Sequence, residues 1–600
     1  MRDVFSQLEF RTLLKRVFET MGGGEEADRA PQQAAPEPQR VDAAAAAAWL
    51  ADRAGTVGVT VEMADALPAR LGFAAEDAAI EVEWADGAAD TLGAWFASDA
   101  RKAMCDAKVQ IKALRRAGVE VRALGVDALI AGWIARPSFP DKTLGHLVDR
   151  YLGERLPEAD PAQLVPEDDG SSAGQLAWYT LRVSAAVEDA LREREREVLS
   201  NIEMPTLLAL ADMELAGVAV SHEKLSSFSA ELGERAAAIA RQAYAEIGHE
   251  VNLGSPKQLQ QVLFEELELP KTRKTKTGYT TDASALAELQ VKAPHPFLGQ
   301  LLAHREATKL KQIIDGLDLA IADDGRVHTT YLQTGSQTGR LSSTDPNLQN
   351  IPVRTEESRR IRSAFEVGEG YETLLTADYS QIEMRIMAHL SGDPGLVKAF
   401  NDGEDLHRFV GAQVFGVAPE DVTSEMRSKV KAMSYGLVYG LSAFGLAKQL
   451  GIEQKEAKQL MLGYFERFGA VRDYLRASVE KAREDGYTET IFGRRRPFPD
   501  LTSPNRVLRE NAERAALNAP IQGSAADIMK IALFGIHDDL RPLRSRLLLQ
   551  IHDEVVVEVA EGEWSAVEEV VRRRMGEAAE LSVPLSVQVG HGADWNEAAH

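Results

Sequence analysis

The sequence predicts a large multidomain chain of mixed α/β and α+β class. Its 600 residues correspond to about three to five domains of ordinary size. Hydrophobic residues make up 44% and charged residues 27% of the chain, so a large packed core is expected. Short apolar runs alternate with helical stretches over 42–190, which favours α/β, whereas 191–330 is mainly helical and 331–600 mixes both element types.

Composition restricts the kind of site that the chain can build. With 68 basic and 92 acidic residues the net charge is −24, so contacts with phosphate must come from local basic patches. The single cysteine, Cys105, excludes an intramolecular disulfide and a cysteine-rich zinc site and favours a reducing compartment. The N-terminus lacks a signal-peptide core, and the alanine-rich run 43–50 is too short to span a membrane. We therefore expect a soluble, cytoplasmic protein without a membrane partner.

The N-terminal elements can be placed by periodicity. Apolar residues on one stripe predict a helix over 5–18, and the glycine-, proline- and glutamine-rich stretch that follows predicts a linker over 22–41. A helix before a linker suggests that the chain is a fragment without its N-terminal domain. In the first unit, 42–190, we expect strands at 57–61 and 79–82 and helices at 94–116 and 177–192.

Two aspartates stand at the ends of predicted strands. Asp378 follows the apolar run 374–377, and alone it could merely cap the next helix. The runs 547–550 and 555–559 predict a hairpin whose turn is His552-Asp553-Glu554, and a solvent-exposed tip is the alternative. Together, Asp378 and Asp553 suggest a site for two Mg²⁺ ions about 4 Å apart, which favours in-line phosphoryl transfer.

The most specific pattern is a helical face. Arg427, Lys431, Tyr435 and Tyr439 are spaced by four residues, so a helix would place them on one side. We call this set the triphosphate face, because two cations followed by two rings match a nucleoside triphosphate. A solvated basic helix with two buried tyrosines is the alternative.

Three further polar segments could contact nucleic acid. The segment 338–354 is dense in amides and hydroxyls and contains Arg340, Asn347 and Arg354. A second set at spacing four comprises Arg514, Asn518 and Gln522, and a basic loop comprises Lys271, Arg273, Lys274 and Lys276. Ordinary polar loops and a polar helix face are the alternatives, although a basic loop on an acidic protein favours phosphate.

These segments, in this order, resemble the family A DNA polymerases of bacteria without their 5′-nuclease domain. Residues 378–385, 427–436 and 552–554 resemble the family's motifs A, B and C, and the match extends from about residue 200 to the C-terminus. The resemblance implies a right-hand fold preceded by a ribonuclease H-like 3′–5′ exonuclease-type domain. The implied parts are an N-terminal helix and linker (1–41), the exonuclease-like domain (42–190), the thumb (191–335), the palm (336–395 and 506–600) and the fingers (396–505).

The resemblance also implies roles for individual residues. Asp378, Asp553 and the Tyr379 carbonyl would hold two Mg²⁺ ions, for which Mn²⁺ can substitute, Glu554 would support them, and Lys431 would protonate pyrophosphate. Contacts to the deoxynucleoside triphosphate (dNTP) would come from Arg427, Lys431, Tyr435, Gln381, His407, Arg354 and Glu383, the last as a steric gate against ribose. Primer–template contacts would come from Arg340, Asn347, Tyr439, Arg514, Asn518, Gln522, His552, Lys271, Arg273, Lys274 and Lys276. The implied enzyme is a monomer acting in repair and gap filling in the cytoplasm, associated with the nucleoid.

The first unit departs from the family pattern. Thr60, Gln110 and Val183 stand where proofreading relatives have aspartates, and only Glu62 keeps its carboxylate. Because Thr, Gln and Val cannot hold two Mg²⁺ ions, we expect an exonuclease fold without activity. The alternatives are a nuclease that uses this unit and a degenerate polymerase that only binds primer–template junctions.

Overall fold

The structure is a computed structural model that describes residues 34–138, 140–156, 172–275, 278–351 and 355–599. The predicted helix at 5–18 and most of the predicted linker lie outside the described residues, as do Lys276 and Arg354. Within the ranges described, no helix has the length and apolar composition needed to cross a membrane.

The described residues between 34 and 190, here called the N-terminal unit, form a six-stranded sheet flanked by helices. The strands are β1 Gln39–Arg40, β2 Val57–Ala64, β3 Leu67–Ala74, β4 Ala79–Glu83, β5 Lys102–Met104 and β6 Leu124–Asp127. Their order is β1-β4-β3-β2-β5-β6, in which β2, β3 and β4 pair antiparallel and β5 and β6 continue parallel to β2. This is the arrangement expected of a ribonuclease H-like fold.

The helices of the N-terminal unit are α1 Ala43–Ala51, α2 Ala88–Phe96, α3 Ala107–Arg116, α4 Ala128–Ala135, α5 Leu144–Leu147 and α6 Ala173–Ala190. The strands predicted at 57–61 and 79–82 and the helix predicted at 177–192 are confirmed. The single helix predicted at 94–116 is wrong, because strand β5 separates α2 from α3. Lys102 in this strand is buried, and its ammonium donates hydrogen bonds to the carbonyls of Ser98 (3.0 Å) and Ala100 (2.7 Å). A charged residue interrupts the apolar run by which a buried strand is predicted, so the strand was missed.

The segment 191–330 is mainly helical, as predicted. Its helices are α7 Glu193–Val198, α8 Met204–Ala216, α9 His222–Ile247, α10 Pro256–Gln261, α11 Ala283–Lys292 and α12 Pro296–Leu319. The long helices α9 and α12 pack along each other. Strands β8 Lys274–Thr275 and β9 Gly278–Tyr279 pair as a small basic hairpin where the sequence predicted only a loop. Strands β7 Val218–Ala219 and β10 Arg326–Val327 pair at the base of this region.

A four-stranded antiparallel sheet forms the centre of the C-terminal half. After the pair β11 Thr330–Leu332 and β12 Ser342–Thr344, its strands are β13 Thr373–Tyr379, β16 Arg546–Ile551, β17 Glu554–Val559 and β18 Val587–Gly592, in the order β16-β17-β13-β18. Its core is apolar: Leu375, Ala377, Val555 and Val557 are fully buried. The hairpin predicted over 547–559 is therefore confirmed.

Helices precede and separate the strands of this sheet along the chain. They are α13 Glu356–Arg362, α14 Ile382–Ser391, α15 Pro394–Asn401, α16 Leu406–Phe415, α17 Ser424–Val438, α18 Ala443–Leu450, α19 Gln454–Arg467, α20 Gly469–Asp485, α21 Arg506–Leu540 and α22 Trp564–Gly576, with the pair β14 Tyr487–Glu489 and β15 Arg495–Pro497 between α20 and α21. Helix α17 confirms the predicted helix of the triphosphate face. It ends at Val438 because Gly440 adopts φ 64°, so Tyr439 is its C-cap. The predicted domain boundaries stay predictions.

Candidate active site

Three acidic side chains meet at one end of the four-stranded sheet. Asp378 is the penultimate residue of β13 and lies opposite Glu554, the first residue of β17. Asp553 lies in the two-residue turn His552-Asp553, here called the active-site turn, where His552 has a left-handed φ of 55°. The backbone N–H of Tyr379 donates to the Asp553 carbonyl over 3.2 Å, which holds the turn against β13. Strand pairing thus brings together the two aspartates that the sequence singled out.

Burial of Asp378, Asp553 and Glu554 disfavours the charged forms of these carboxylates. Burial and the neighbouring charges of Asp553 and Glu554 raise the pKa of Asp378 to about 7. Burial also raises the pKa of Asp553, opposed by Arg340, and that of Glu554, opposed by the Trp595 indole N–H, which donates to Glu554 over 2.5 Å. Oxygen ligands crowded together in this way fit a hard divalent cation, whose charge would offset their repulsion.

The acidic end opens into a cleft of about 530 Å³. Its lining includes Asp378, Asp553, Glu383, Gln381, Tyr379, Arg340, His552, His407 and the triphosphate face of α17, with Arg427, Lys431, Tyr435 and Tyr439. The Arg427 guanidinium is held 2.8 Å from the Asp405 carboxylate, and Lys431 is exposed. The cations of α17 therefore face the same space as the carboxylates of Asp378 and Asp553.

Two side chains beside these cations stay uncharged. Burial, assisted by the nearby Lys431 cation, lowers the pKa of His407 to about 4, and its Nδ1 is buried without a hydrogen-bond partner. The rings of His407 and Tyr435 are 6.1 Å apart between centroids. Burial, with the charge of Glu383, raises the pKa of Tyr435 to about 12, so its phenol keeps its proton. Both groups can offer a hydrogen bond to a ligand in the cleft.

Glu383 is fixed over the cleft by two donors. Arg340 donates to it over 2.7 Å and the Tyr439 phenol over 3.0 Å, while Gln522 hydrogen-bonds Tyr439 in turn. Glu383 is only 5% exposed, and burial raises its pKa. Gln381 precedes α14 in a left-handed conformation (φ 57°), which the turn from β13 into that helix requires.

The remaining residues predicted to contact DNA lie on α21, in the segment 338–354 and at the basic hairpin. Asn518 and Gln522 lie on α21, where Gln522 hydrogen-bonds Tyr439 and the Asn518 Oδ1 is buried without a partner. Asn347 instead caps a 3₁₀ turn at Leu348–Asn350, where its Oδ1 accepts from the Gln349 N–H over 3.0 Å. Arg514 contacts Asn511 on its own helix. Lys271, Arg273 and Lys274 are exposed at the basic hairpin and are not among the residues that line the cleft.

Comparison with known proteins places the chain in a family. The sequence profile described as DNA polymerase family A matches residues 222–597. The chain belongs to that family. DNA polymerase I of Mycobacterium tuberculosis (strain ATCC 25618 / H37Rv) is 49% identical to this family A polymerase over 630 residues, covering 100% of this chain and 69% of that protein. DNA polymerase I of Mycobacterium leprae (strain TN) is 47% identical over 631 residues, with the same 100% and 69% coverage.

A solved structure agrees with the sequence relatives. The POL domain of Pol1 from M. smegmatis, in complex with DNA primer-template and dNTP, superposes with a TM-score of 0.87 at 49% identity and covers 94% of this chain and 100% of that one. The right-hand fold of a family A polymerase is thereby confirmed, and the chain is a DNA-directed DNA polymerase. This finding favours an enzyme over the alternative of a protein that only binds primer–template junctions.

Two residues beside the carboxylates of this family A polymerase were missed from the sequence. Trp595 donates to Glu554, and the Arg362 guanidinium lies 4.5 Å from the centroid of the Trp595 ring. Burial lowers the pKa of Arg362, while the charges of Glu554 and Asp378 oppose that shift. The only indication of this contact in the sequence was that Trp595 stands in an otherwise polar C-terminal segment.

In the N-terminal unit, two of the three positions without aspartate are occupied by groups that pack or bond internally. The Gln110 side chain accepts from the Val61 N–H over 2.7 Å and donates to the Cys105 carbonyl over 2.5 Å. Val183 is fully buried, and Glu62 lies 3.5 Å from Arg70.

Proposed function

We propose that this polymerase extends the 3′ end of a DNA primer by two-metal nucleotidyl transfer from dNTPs, with release of pyrophosphate. One observation carries the proposal: Asp378 and Asp553 share a single cleft with Arg427 and Lys431. Carboxylates at one wall and cations at the other suit a triphosphate whose α-phosphate is attacked and whose terminal phosphates leave.

The carboxylates of the palm fit a pair of divalent ions. Asp378 and Asp553, with the Tyr379 carbonyl, would hold Mg²⁺, or Mn²⁺ in its place. When bound, these ions supply charge stabilisation for the attacking and leaving oxygens of an in-line displacement. Glu554 would support the site from β17, where the Trp595 indole fixes its carboxylate.

The triphosphate face would bind and orient the nucleotide. Arg427 and Lys431 would neutralise the phosphates, and Lys431 would give its proton to the departing pyrophosphate. His407, kept neutral by burial, would add a hydrogen bond without further charge. Glu383 would occupy the space needed by a 2′-hydroxyl, and Tyr435 would lie beside the 3′ position.

Primer–template DNA would lie against the side of the cleft formed by α21 and the active-site turn. Arg340, Asn518, Gln522 and His552 would contact it there, with Tyr439 near the templating base. The basic hairpin would contact the duplex backbone further away. The M. smegmatis complex with primer-template and dNTP supports these partners. We further propose a monomer that works in repair and gap filling in the cytoplasm.

The N-terminal unit is proposed to lack proofreading. The side-chain amide of Gln110 hydrogen-bonds backbone groups through both its oxygen and its nitrogen, and Val183 is buried. Neither position therefore offers a metal ligand. Single-metal or nuclease chemistry in this unit would need carboxylates that these positions do not supply.

One gel tests both proposals. A 5′-labelled primer on a longer template is incubated with the enzyme and Mg²⁺, with and without dNTPs, using wild type, Asp378→Asn, Asp553→Asn and the exposed control Asp538→Asn. We expect extension by wild type and the control only, with DNA binding retained in all four, and no primer shortening without dNTPs. Extension by Asp378→Asn would contradict the two-metal assignment, and shortening would contradict the loss of proofreading.

A further inference from the structure

We propose that Lys108, in the N-terminal unit, is a positioning residue for the polymerase reaction. It acts through Glu214, Tyr331 and Gln550 on the active-site turn. The proposal rests on the role proposed above for Asp553. It gives the N-terminal unit a part in DNA synthesis, separate from the proofreading that this unit is proposed to lack.

The first contact joins α3 of the N-terminal unit to α8. Lys108, Lys112 and Arg115 share one face of α3 because they are spaced by four and three residues. The Lys108 ammonium contacts both the Glu214 carboxylate and the Tyr331 carbonyl, and Lys112 lies 2.5 Å from the same carboxylate. The Glu214 side chain is only 1% exposed, so these two cations are its compensating charges inside the protein.

From Glu214 the contacts continue without a gap to the active-site turn. The Glu214 carboxylate accepts from the Tyr331 N–H over 2.7 Å. The Tyr331 hydroxyl accepts from the Gln550 N–H over 3.0 Å, and the Gln550 side-chain amide donates to the His552 carbonyl. His552 precedes Asp553 directly. A fixed path of polar contacts thus runs from α3 to Asp553.

The topology explains why this path controls the turn. Strand β16 is an edge strand, bonded on one side to β17 and on the other to no strand among the described residues. The Tyr331 hydroxyl therefore binds an N–H group that a further strand would otherwise take. His552 has φ 55°, a conformation that persists only where neighbouring contacts impose it, and the bond from Gln550 is such a contact.

Loosening the path should slow synthesis without weakening nucleotide binding. A shift of the active-site turn displaces Asp553 from the geometry of the reaction, and a misplacement on the order of 1 Å can cost about 100-fold in rate. The phosphates are bound from α17, which the path does not touch. The effect therefore belongs in kcat rather than in the KM for dNTP.

The test measures single-nucleotide incorporation by the full chain on a primer–template with Mg²⁺ and dNTP. The variants are Lys108→Met, Tyr331→Phe, their combination, and Lys108→Arg. Tyr331→Phe removes only a hydroxyl, so it tests the path even where Lys108→Met does not fold. The matched control is Arg182→Met, which breaks a 2.8 Å ion pair with Glu154 inside the N-terminal unit, away from the palm.

We expect Lys108→Met and Tyr331→Phe each to lower kcat about tenfold, with the KM for dNTP and the Kd for DNA changed by no more than about twofold. The combined variant should lose little more than the worse single variant, because both changes break one path. Lys108→Arg should recover most of the rate, and Arg182→Met should keep it.

Three results would overturn the proposal: wild-type kcat in both single variants, multiplicative losses in the combined variant, or an equal loss in Arg182→Met. Failure of the proposed function is a separate result. It would be seen as continued synthesis by Asp553→Asn, whereas a failed positioning role would leave that variant inactive and Lys108→Met fully active.

Discussion

The phenol of Tyr439 donates a hydrogen bond to the Glu383 carboxylate, 3.0 Å from Oε2. This bond joins the C-cap of α17 to the first turn of α14, and Arg340, from the connection between β11 and β12, donates to the same carboxylate over 2.7 Å. Glu383 therefore has a fixed position in the lining of the cleft. A steric gate requires such a fixed group, because a mobile carboxylate would move aside for a ribose.

Replacing Glu383 with alanine should relax sugar selection. We expect the preference for dNTP over the matching ribonucleotide to fall about 10- to 100-fold, measured as the ratio of kcat/KM values on one primer–template. Tyr439→Phe is the comparison, because it removes one donor to Glu383 but keeps the carboxylate, so its selectivity should change much less. Unchanged selectivity in Glu383→Ala would contradict the assignment of the gate.

Tyr435 should determine how well dideoxynucleotides are used. Its phenol keeps its proton at assay pH, because burial raises its pKa to about 12, so it can hydrogen-bond near the 3′ position of the nucleotide. Loss of one such bond is worth about 1 kcal/mol, and we expect Tyr435→Phe to discriminate against dideoxynucleotides about fivefold more strongly. Competition between dideoxy- and deoxynucleotides on a sequencing ladder measures this. An unchanged ladder would contradict the prediction.

His407 should make the protein less stable in mild acid. Its pKa is about 4 in the folded protein because of burial and the Lys431 charge, against 6.5 ordinarily, so the unfolded chain binds the proton first as pH falls. The free energy of unfolding should therefore decrease between about pH 6.5 and pH 4, by up to about 3 kcal/mol from this group. When urea unfolding is measured at several pH values, the free energy of unfolding should fall less steeply with decreasing pH for His407→Gln than for wild type. Equal slopes would contradict the low pKa.

The sequence predicted those parts of the site whose residues lie close together in the chain. Asp378 after its strand, the active-site turn and the triphosphate face each depend on local spacing, and the structure places them in one cleft. The contact of Trp595 with Glu554 spans 41 residues and depends on β17 and β18 lying on either side of β13, which local periodicity does not reveal. The strand at Lys102–Met104 was missed for another reason, because its buried lysine is satisfied by backbone carbonyls.

Gln110 should contribute to the stability of the N-terminal unit rather than to chemistry. Gln110→Ala leaves the buried Val61 N–H and Cys105 carbonyl without their present partners, and we expect a loss of about 1–3 kcal/mol in the free energy of unfolding. Asp77→Ala, at a side chain that is 82% exposed, is the control and should change stability by less than about 0.5 kcal/mol. Chemical denaturation compares the variants. Equal stability of Gln110→Ala and wild type would contradict the structural role.

The basic hairpin should contact the DNA backbone through charge alone. Arg273 and Lys274 are exposed, and the Lys271 ammonium lies 5.2 Å from the centroid of the Tyr279 ring, which supports the hairpin from within. Each phosphate contact contributes about 0.9 to the slope of log K against log salt. The double variant Arg273→Ala/Lys274→Ala should therefore lower that slope by about 1–2 and weaken binding equally for different DNA sequences. Lys142→Ala in the N-terminal unit is the control with the same loss of charge per residue. A slope identical to that of wild type would exclude the hairpin from the DNA interface and leave it as a solvated loop on an acidic protein.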